Sequence, residues 1–289
     1  MRLKSGVPWF LKIPAKIVLS RLPLGYRLWR RFNVFVAGSM DSPEYAFGVF
    51  KKHREAAGFS TLRHRSVLEL GPGDSFLSAL YARSFGAART WLVDVGRLAS
   101  DDITVFAEAE KMLLALGLPV PGVASTPSVS AAIERLGAVY LTEGLASLRT
   151  IPDEAVDFLF SQAVLEHVRL ADFPKLVNEM RRVLKPNGVA SHQIDFRDHL
   201  QNGLNNLRFS ERIWESQFMA RSGFYTNRLT WPTMGKLFQE AGFSVETYSL
   251  EQWADGLPTR QSSMAVPFKN MRREELMTMS VHAVIRPSL

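Results

Sequence analysis

The stretch VLELGPGDSFLSAL, residues 67–80, decides the fold. A short apolar, strand-like segment runs through a glycine turn into a helical pattern. Such a turn brings backbone N–H groups close to a ligand at a helix start. A dinucleotide-binding turn of the form G-x-G-x-x-G would carry its third glycine where this chain has Phe76. Glu69 sits inside the strand, where a buried strand ordinarily carries an apolar residue. Asp74 follows the turn, where a pyrophosphate would be repelled. Acids on both sides of a glycine turn suit a cationic ligand better than a phosphorylated one. Asp94 ends the next strand-like segment, 21 residues after Gly73, where an acid can accept both hydroxyls of a ribose. S-adenosylmethionine combines a ribose with a positive sulfonium and amino group, and is a ligand of this kind.

Outward from the turn, strands and helices alternate. Apolar runs predict strands over 66–70, 90–95, 138–143, 155–161, 188–196, 243–250 and 279–287. Helical patterns fall over 74–86, 102–117, 172–184 and 233–242, with a short helix inside the Pro/Gly/Ser-rich connection 119–136. Ser42-Pro43 starts a further helix, running to Ala57 and closed by Gly58. This alternation implies a mostly parallel sheet with helices on both faces. The last two strands lack an intervening helix, which implies an antiparallel edge strand at the end. Residues 197–229 break the alternation as a long insertion rich in Asn, Arg and aromatics. Insertions at the carboxyl ends of strands in such sheets form substrate sites.

The chain has 289 residues and no cysteine, so disulfides, thiolate metal sites and cysteine nucleophiles are excluded. Its net charge of +7 is concentrated in one place. Residues 1–40 hold eight basic residues and no acid, so the remainder sums to about −1. The body is near neutral, which speaks against nucleic acid as a partner. The apolar N-terminal stretch is interrupted by Lys12, Pro14, Lys16, Arg21 and Pro23, and fits neither a membrane span nor a signal peptide. Pro14 would open a helix over 15–22, with Ala15, Val18, Leu19 and Leu22 on one face, and Pro23 another over 24–33. Two readings of the basic arm 1–40 stand open: an interfacial helix on an anionic membrane through residues 1–35, or an arm packed on the domain 41–289. The expected location is cytoplasmic, peripheral to the inner membrane face on the first reading.

Three separated motifs carry a resemblance: VLELGPG, LVDVG, and SQAVLEHV followed by RRVLKPNG. In this order and spacing the chain resembles the class I S-adenosylmethionine-dependent methyltransferases, in their type 11-like branch, over residues 60–195. The resemblance implies a Rossmann-like seven-stranded sheet of order 3-2-1-4-5-7-6, with S-adenosylmethionine as cofactor. It implies that Glu69, Gly71, Pro72, Gly73 and Asp74 line the methionine part, and that Asp94 and Val95 meet the ribose and adenine. Gly144 or Leu145 would lie near the adenine, and Gln162 and Ala163 would face the methionine and sulfonium.

Methyl transfer to a hydroxyl benefits from a base. The segment HQIDFRDH supplies His192, Asp195, Asp198 and His199, and the fourth strand ends in Glu166-His167. His192 or His199 is the expected base, oriented by Asp195 or Asp198, with His167 a further candidate; no metal site is assigned, and a metal held by Asp195, Asp198 and a histidine stays the minor alternative. The insertion offers Asn205, Asn206, Arg208, Tyr225, Asn227 and Arg228, besides Trp214 and Arg221, as groups for a polyhydroxylated or phosphorylated acceptor. A helical lid whose polar side chains cap its own helices would use the same residues. Parts of the insertion are similar to methyltransferases of bacterial surface-polysaccharide clusters, so a sugar or glycan hydroxyl is the expected acceptor. A lipid, a quinone or a small metabolite is the alternative, and a non-catalytic binding module the remote one.

Overall fold

The computed structural model describes residues 8–21 and 39–288. Helix α1 (Trp9–Arg21) is followed by α2 (Pro43–Ala56), β1 (Ser66–Leu70), α3 (Leu77–Ser84), β2 (Arg89–Val93) and α4 (Thr104–Ala115). Next come α5 (Val129–Arg135), β3 (Ala138–Leu141), α6 (Leu145–Leu148), β4 (Val156–Gln162), α7 (Phe173–Val183) and β5 (Leu184–Asp195). The chain closes with α8 (Glu211–Trp214), α9 (Gln217–Ala220), α10 (Trp231–Glu240), β6 (Phe243–Gln252) and β7 (Thr278–Pro287). The strands form one sheet in the order β3-β2-β1-β4-β5-β7-β6, parallel except for β7. The antiparallel strand is therefore not at the edge: β7 inserts between β5 and β6, and β6 is the edge strand.

Both faces of the sheet are buried, and strand alternation divides the core in two. Val67, Phe158, Phe160 and Val284 face α2, α3 and α4, meeting Phe50, Leu80, Tyr81 and Phe106. Leu68, Leu159, Ala190 and Ile285 face α7 and α10, meeting Phe173, Val177, Met180 and Phe238. In α7 the buried Phe173, Leu176, Val177, Met180 and Val183 recur at helical spacing on one face. Each such side chain stabilises the fold by about 1.5–3 kcal/mol on burial. β5 begins four residues earlier than the expected 188, because Leu184 already pairs with Val156 and residues 185–188 bulge before Val189 meets Phe158.

Two elements depart further from expectation. α1 starts at Trp9 and runs through Pro14 rather than beginning after it. Proline removes one ladder hydrogen bond, but the helix is held from outside. Ile17 is buried in a cluster with Leu200, Trp214, Met219, Phe224 and Tyr225, and Trp9 and Ile13 pack on the same cluster. The expected helix 24–33 lies outside the described residues. The connection between β6 and β7, residues 253–277, is the second departure. It folds against the insertion through Leu204, Leu207, Met264, Phe268 and Leu276. The two segments together form a cap over the carboxyl ends of β5 and β6.

At the opposite, amino end of the sheet, Asp157 binds Arg65 at 2.9 Å, Lys185 at 2.7 Å and the Ser66 N–H at 2.9 Å. Burial raises its pKa, but the bonds from Lys185, Ser66 and Arg65 outweigh that and hold it below the usual carboxylate value. A depressed folded-state pKa adds stability above the unfolded value of about 3.9, and that stability is lost as pH falls. Asp157→Asn is expected to destabilise the fold by about 1–3 kcal/mol at pH 7, with the difference from wild type shrinking as pH falls below about 4. Urea melts across that pH range test it.

Candidate functional site

The glycine turn is built on close approach. Gly71 has φ 69°, and a Cβ on it would lie 2.5 Å from Val164 Cγ2, so the turn after β1 and the turn after β4 touch there. Gly73 has φ 66°, with open space where its Cβ would be. Phe76, in place of the third glycine, is buried edge-on against Tyr140, with ring centroids 4.9 Å apart. Helix α3 begins at Leu77, three residues later than the expected Asp74. Pro72 and Asp74 lie in the turn between these anchors, both buried.

Strand alternation turns Glu69 to the α3 face, where it is 1 % exposed and its Oε2 has no hydrogen-bond partner. Burial pushes its pKa up to about 8. Asp94, at the end of β2, accepts from the Gly73 N–H at 3.2 Å and the Val95 N–H at 2.7 Å. Its pKa is raised by burial, against those two bonds. The Gly144 N–H donates to the Asp94 carbonyl at 2.8 Å, which brings Gly144 and Leu145 beside Asp94 and Val95. Val95 itself is 83 % exposed, an apolar side chain left open next to a carboxylate. At the end of β4, Ala163 takes a left-handed φ of 52° and its N–H bonds the Gln193 carbonyl at 2.9 Å. The Gln162 side-chain carbonyl accepts from His53 Nε2 at 3.1 Å.

The two histidines that come together are His167 and His199. Their Nε2 atoms lie 3.2 Å apart and their rings stack at 4.9 Å. His167 Nδ1 lies 2.9 Å from the Tyr225 carbonyl. A carbonyl only accepts, so Nδ1 carries the proton and Nε2 of His167 offers a lone pair to the His199 N–H. His167 keeps an exposed edge, yet desolvation by its neighbours lowers its pKa, against the Tyr225 bond and the charge of Asp195. Glu166, beside it, is 2 % exposed, accepts the Asp195 N–H at 3.3 Å, and burial raises its pKa to about 8.

Of the other ionisable residues expected to act with the base, Asp195 is felt through its charge on His167, while His192 and Asp198 are engaged elsewhere. His192 is fully buried, bonded to Ser161 Oγ at 2.7 Å and stacked on Phe238. Burial lowers its pKa to about 3, so it is a neutral core side chain. Asp198 is also fully buried and accepts from the N–H groups of Leu200, Gln201 and Asn205 and from Asn205 Nδ2. It ties the start of the insertion and orients no histidine. Asp195 forms a two-point ion pair with Arg197 at 2.9 and 2.8 Å.

Most of the insertion's polar groups are consumed internally, because a segment with little regular structure must satisfy its own backbone. Asn205 serves Asp198, and Arg208 bonds Asn205 at 3.2 Å and lies over the Trp9 ring. Tyr225 donates to Glu215 at 2.9 Å, Asn227 Nδ2 donates to the Leu165 carbonyl at 2.8 Å, and buried Trp214 donates to the Thr226 carbonyl at 2.7 Å. Asn206 and Arg228 differ: each is buried and keeps a side-chain atom without a partner. Sequence reasoning missed one network altogether. Ser191 Oγ sits between His53 Nδ1 at 2.8 Å and His282 Nε2 at 2.7 Å, and Lys52 Nζ donates to Gln193 at 2.6 Å. The signal for it was a polar His53 on the mostly apolar buried face of α2.

The sheet order, the antiparallel β7 and the site at the carboxyl ends of β1, β2, β4 and β5 now stand together with a family match. Residues 111–191 match the model described as a methyltransferase domain. The fold is that of a class I methyltransferase. The matched segment runs from α4 into β5 and leaves the glycine turn outside. "Probable methyltransferase ltbC" of Aspergillus luteorubrus is 31 % identical over 110 residues, 37 % of this chain and 36 % of that protein. The chain thus spans about a third of the length of this curated relative. Among solved structures, an S-adenosylmethionine dependent methyltransferase from Mesorhizobium loti is similar at 16 % identity and TM-score 0.46, over 86 % of this chain and 100 % of that one. A Burkholderia thailandensis 1,6-didemethyltoxoflavin-N1-methyltransferase, solved with its namesake compound and S-adenosylhomocysteine, is similar at 12 % identity and TM-score 0.48, over 96 % and 90 % of the two chains.

Three features of the methyltransferase fold in this chain fit S-adenosylmethionine. Glu69 keeps a buried unpartnered oxygen suited to a cation, Gly73 leaves open space above the turn, and Val95 presents bare apolar surface beside the ribose-type acid Asp94. A cation bound near Glu69 favours its ionised form, so binding below pH 8 must release a proton. The affinity for S-adenosylhomocysteine is expected to rise with pH between 6 and 8 and level off above, and Glu69→Gln should flatten the rise. Calorimetric titrations at several pH values measure both.

Proposed function

We propose that this chain is an S-adenosylmethionine-dependent methyltransferase that methylates a hydroxyl group of a sugar or glycan intermediate. Bound S-adenosylmethionine supplies an electrophilic methyl group. The chain's own residues supply placement and a proton acceptor. Glu69, Gly71, Gly73, Asp94, Val95 and Gly144 would hold the cofactor along the carboxyl ends of β1 and β2. The observation that carries the hydroxyl reading is the His167–His199 pair, 3.2 Å between nitrogens at the end of β4. An alcohol is a weak nucleophile until its proton is taken, and a neutral, partly exposed imidazole is a suitable base near pH 7. His167, fixed by the Tyr225 carbonyl, keeps His199 in the orientation to pass that proton on. A polyhydroxylated acceptor is supported by the cavity between the insertion and the β6–β7 connection, where Asn206, Thr230 and Trp231 mix polar groups with an aromatic face.

His199→Ala and His167→Ala are each expected to lower the rate of methyl transfer about 10²–10⁴-fold while S-adenosylhomocysteine affinity stays within twofold. The assay is labelled-methyl transfer to a panel of sugar, lipid and quinone acceptors; unchanged rates in both variants would remove the base assignment, and transfer to lipid or quinone alone would remove the sugar.

The arm supports a peripheral attachment to anionic membrane as part of the same reading. Phe10 and Leu11 of α1 are 54 % and 53 % exposed, next to a basic, acid-free segment. No described helix is long and apolar enough to cross a membrane. Because α1 also packs on the cap, its exposed residues make a cleaner test than removal of residues 1–35. Phe10→Ser with Leu11→Ser is expected to weaken co-sedimentation with phosphatidylserine vesicles at least tenfold without shifting the melting temperature; unchanged sedimentation would leave the arm a packing element only.

A further inference from the structure

On the hydroxyl-methylation reading above, we propose that the cavity between the insertion and the β6–β7 connection anchors the acceptor through an anionic group, a sugar carboxylate or phosphate, held by the guanidinium of Arg228. The cavity is lined by Phe196, Asn206, Arg228 and Trp231, with Glu275 and Thr278 at its β7 side. Two segments of chain connect its lining to the elements that carry the histidine pair. Phe196 directly follows Asp195, and Arg228 directly follows Asn227, whose N–H bonds the Glu166 carbonyl at 2.7 Å.

Arg228 is 9 % exposed, and among the described residues no carboxylate lies within 4.0 Å of it. Its guanidinium is held between the rings of Trp214, 5.6 Å from the centroid, and Phe268, at 5.2 Å. Nη1 donates to the Phe209 carbonyl at 2.7 Å, while Nε has no partner. Glu215 and Glu211 act on it only from a distance, and Glu215 is already engaged by Arg169 at 3.5 Å and by Tyr225. Glu275, the carboxylate of the lining, is paired with Arg272 at 2.9 Å. An arginine stays charged in any protein interior, and a buried charge without a counter-ion is costly. Its rings and backbone hold this one in place without neutralising it. An anion entering the cavity would.

Asn206 narrows the class. It is 1 % exposed, its Nδ2 donates to Thr226 Oγ1 at 2.9 Å, and its Oδ1 has no partner. Two residues that line the cavity thus carry an unused donor on a cation and an unused acceptor on an amide, with the Phe196 and Trp231 rings for apolar surface. A hydroxylated ring bearing one anionic group presents the matching set: charge for Arg228, a hydroxyl proton for Asn206, C–H faces for the rings. A neutral sugar or a bare aromatic leaves the guanidinium uncompensated.

The test is calorimetry on the full chain saturated with S-adenosylhomocysteine, titrated separately with glucuronate, glucose 6-phosphate, inorganic phosphate and glucose. Glucuronate or glucose 6-phosphate is expected to bind at least tenfold more tightly than glucose, and the better of the two tells carboxylate from phosphate. Arg228→Met and Asn206→Asp, the second nearly isosteric and so protected against a folding failure, should each weaken that binding at least tenfold. S-adenosylhomocysteine affinity should stay within twofold in both. Glucose binding as tightly as the anionic sugars, inorganic phosphate matching glucose 6-phosphate, or undiminished binding in both variants would overturn the proposal. Wild-type chain that binds S-adenosylhomocysteine but neither anionic sugar sinks this proposal alone, whereas failure to bind S-adenosylhomocysteine sinks the methyltransferase reading beneath it.

Discussion

The contact between Gly71 and Val164 fixes the geometry on which the rest of the site depends. β1 and β4 are neighbours from which the chain proceeds in opposite directions across the sheet, so their carboxyl-end turns diverge and leave a crevice. A side chain at Gly71 would collide with Val164, and only its absence lets the two turns close to van der Waals distance. From that junction Ala163 adopts its left-handed conformation, Glu166 drops into the interior, and His167 emerges toward the insertion. The β1 side and the β4 side of the crevice take their shape from one close approach.

Burial then sorts the ionisable groups by what they are able to do. Glu69 and Glu166 are carboxyls pushed toward neutrality, each holding an oxygen without a partner. His53, His192 and His282 are driven the other way, kept uncharged inside the sheet. Among the described histidines with lowered basicity, His167 keeps contact with solvent, and it lies against His199. Chemistry at neutral pH needs that combination, since a fully buried imidazole has no route to an acceptor and a fully exposed one has no fixed orientation.

Much of this was legible in the chain itself, for identifiable reasons. Glu69, Gly71, Gly73 and Asp94 are local features, set by strand period and turn chemistry, and their mutual placement follows from adjacent parallel strands. The strand order was readable only through the motifs that carry the methyltransferase resemblance. The segment HQIDFRDH misled because four ionisable residues in eight looked like one site. Strand alternation sends His192 through the sheet to Phe238, and the turn after β5 folds Asp198 inward to hold backbone N–H groups. Only His199 is left near His167, a partner 32 positions away. The role of residues 253–277 was hidden because their apolar positions follow no helix or strand period; they are spaced to meet the insertion, and that match exists only in three dimensions.

The packing of α1 gives the cap a third participant. Ile17 is buried against Trp214 and Phe224, and the same Trp214 ring covers the Arg228 guanidinium. The first helix and the cavity-lining Arg228 therefore pack on the same indole. Shortening Trp214 would be felt on both sides of that ring at once, loosening the seat of α1 and the stacking that holds the guanidinium.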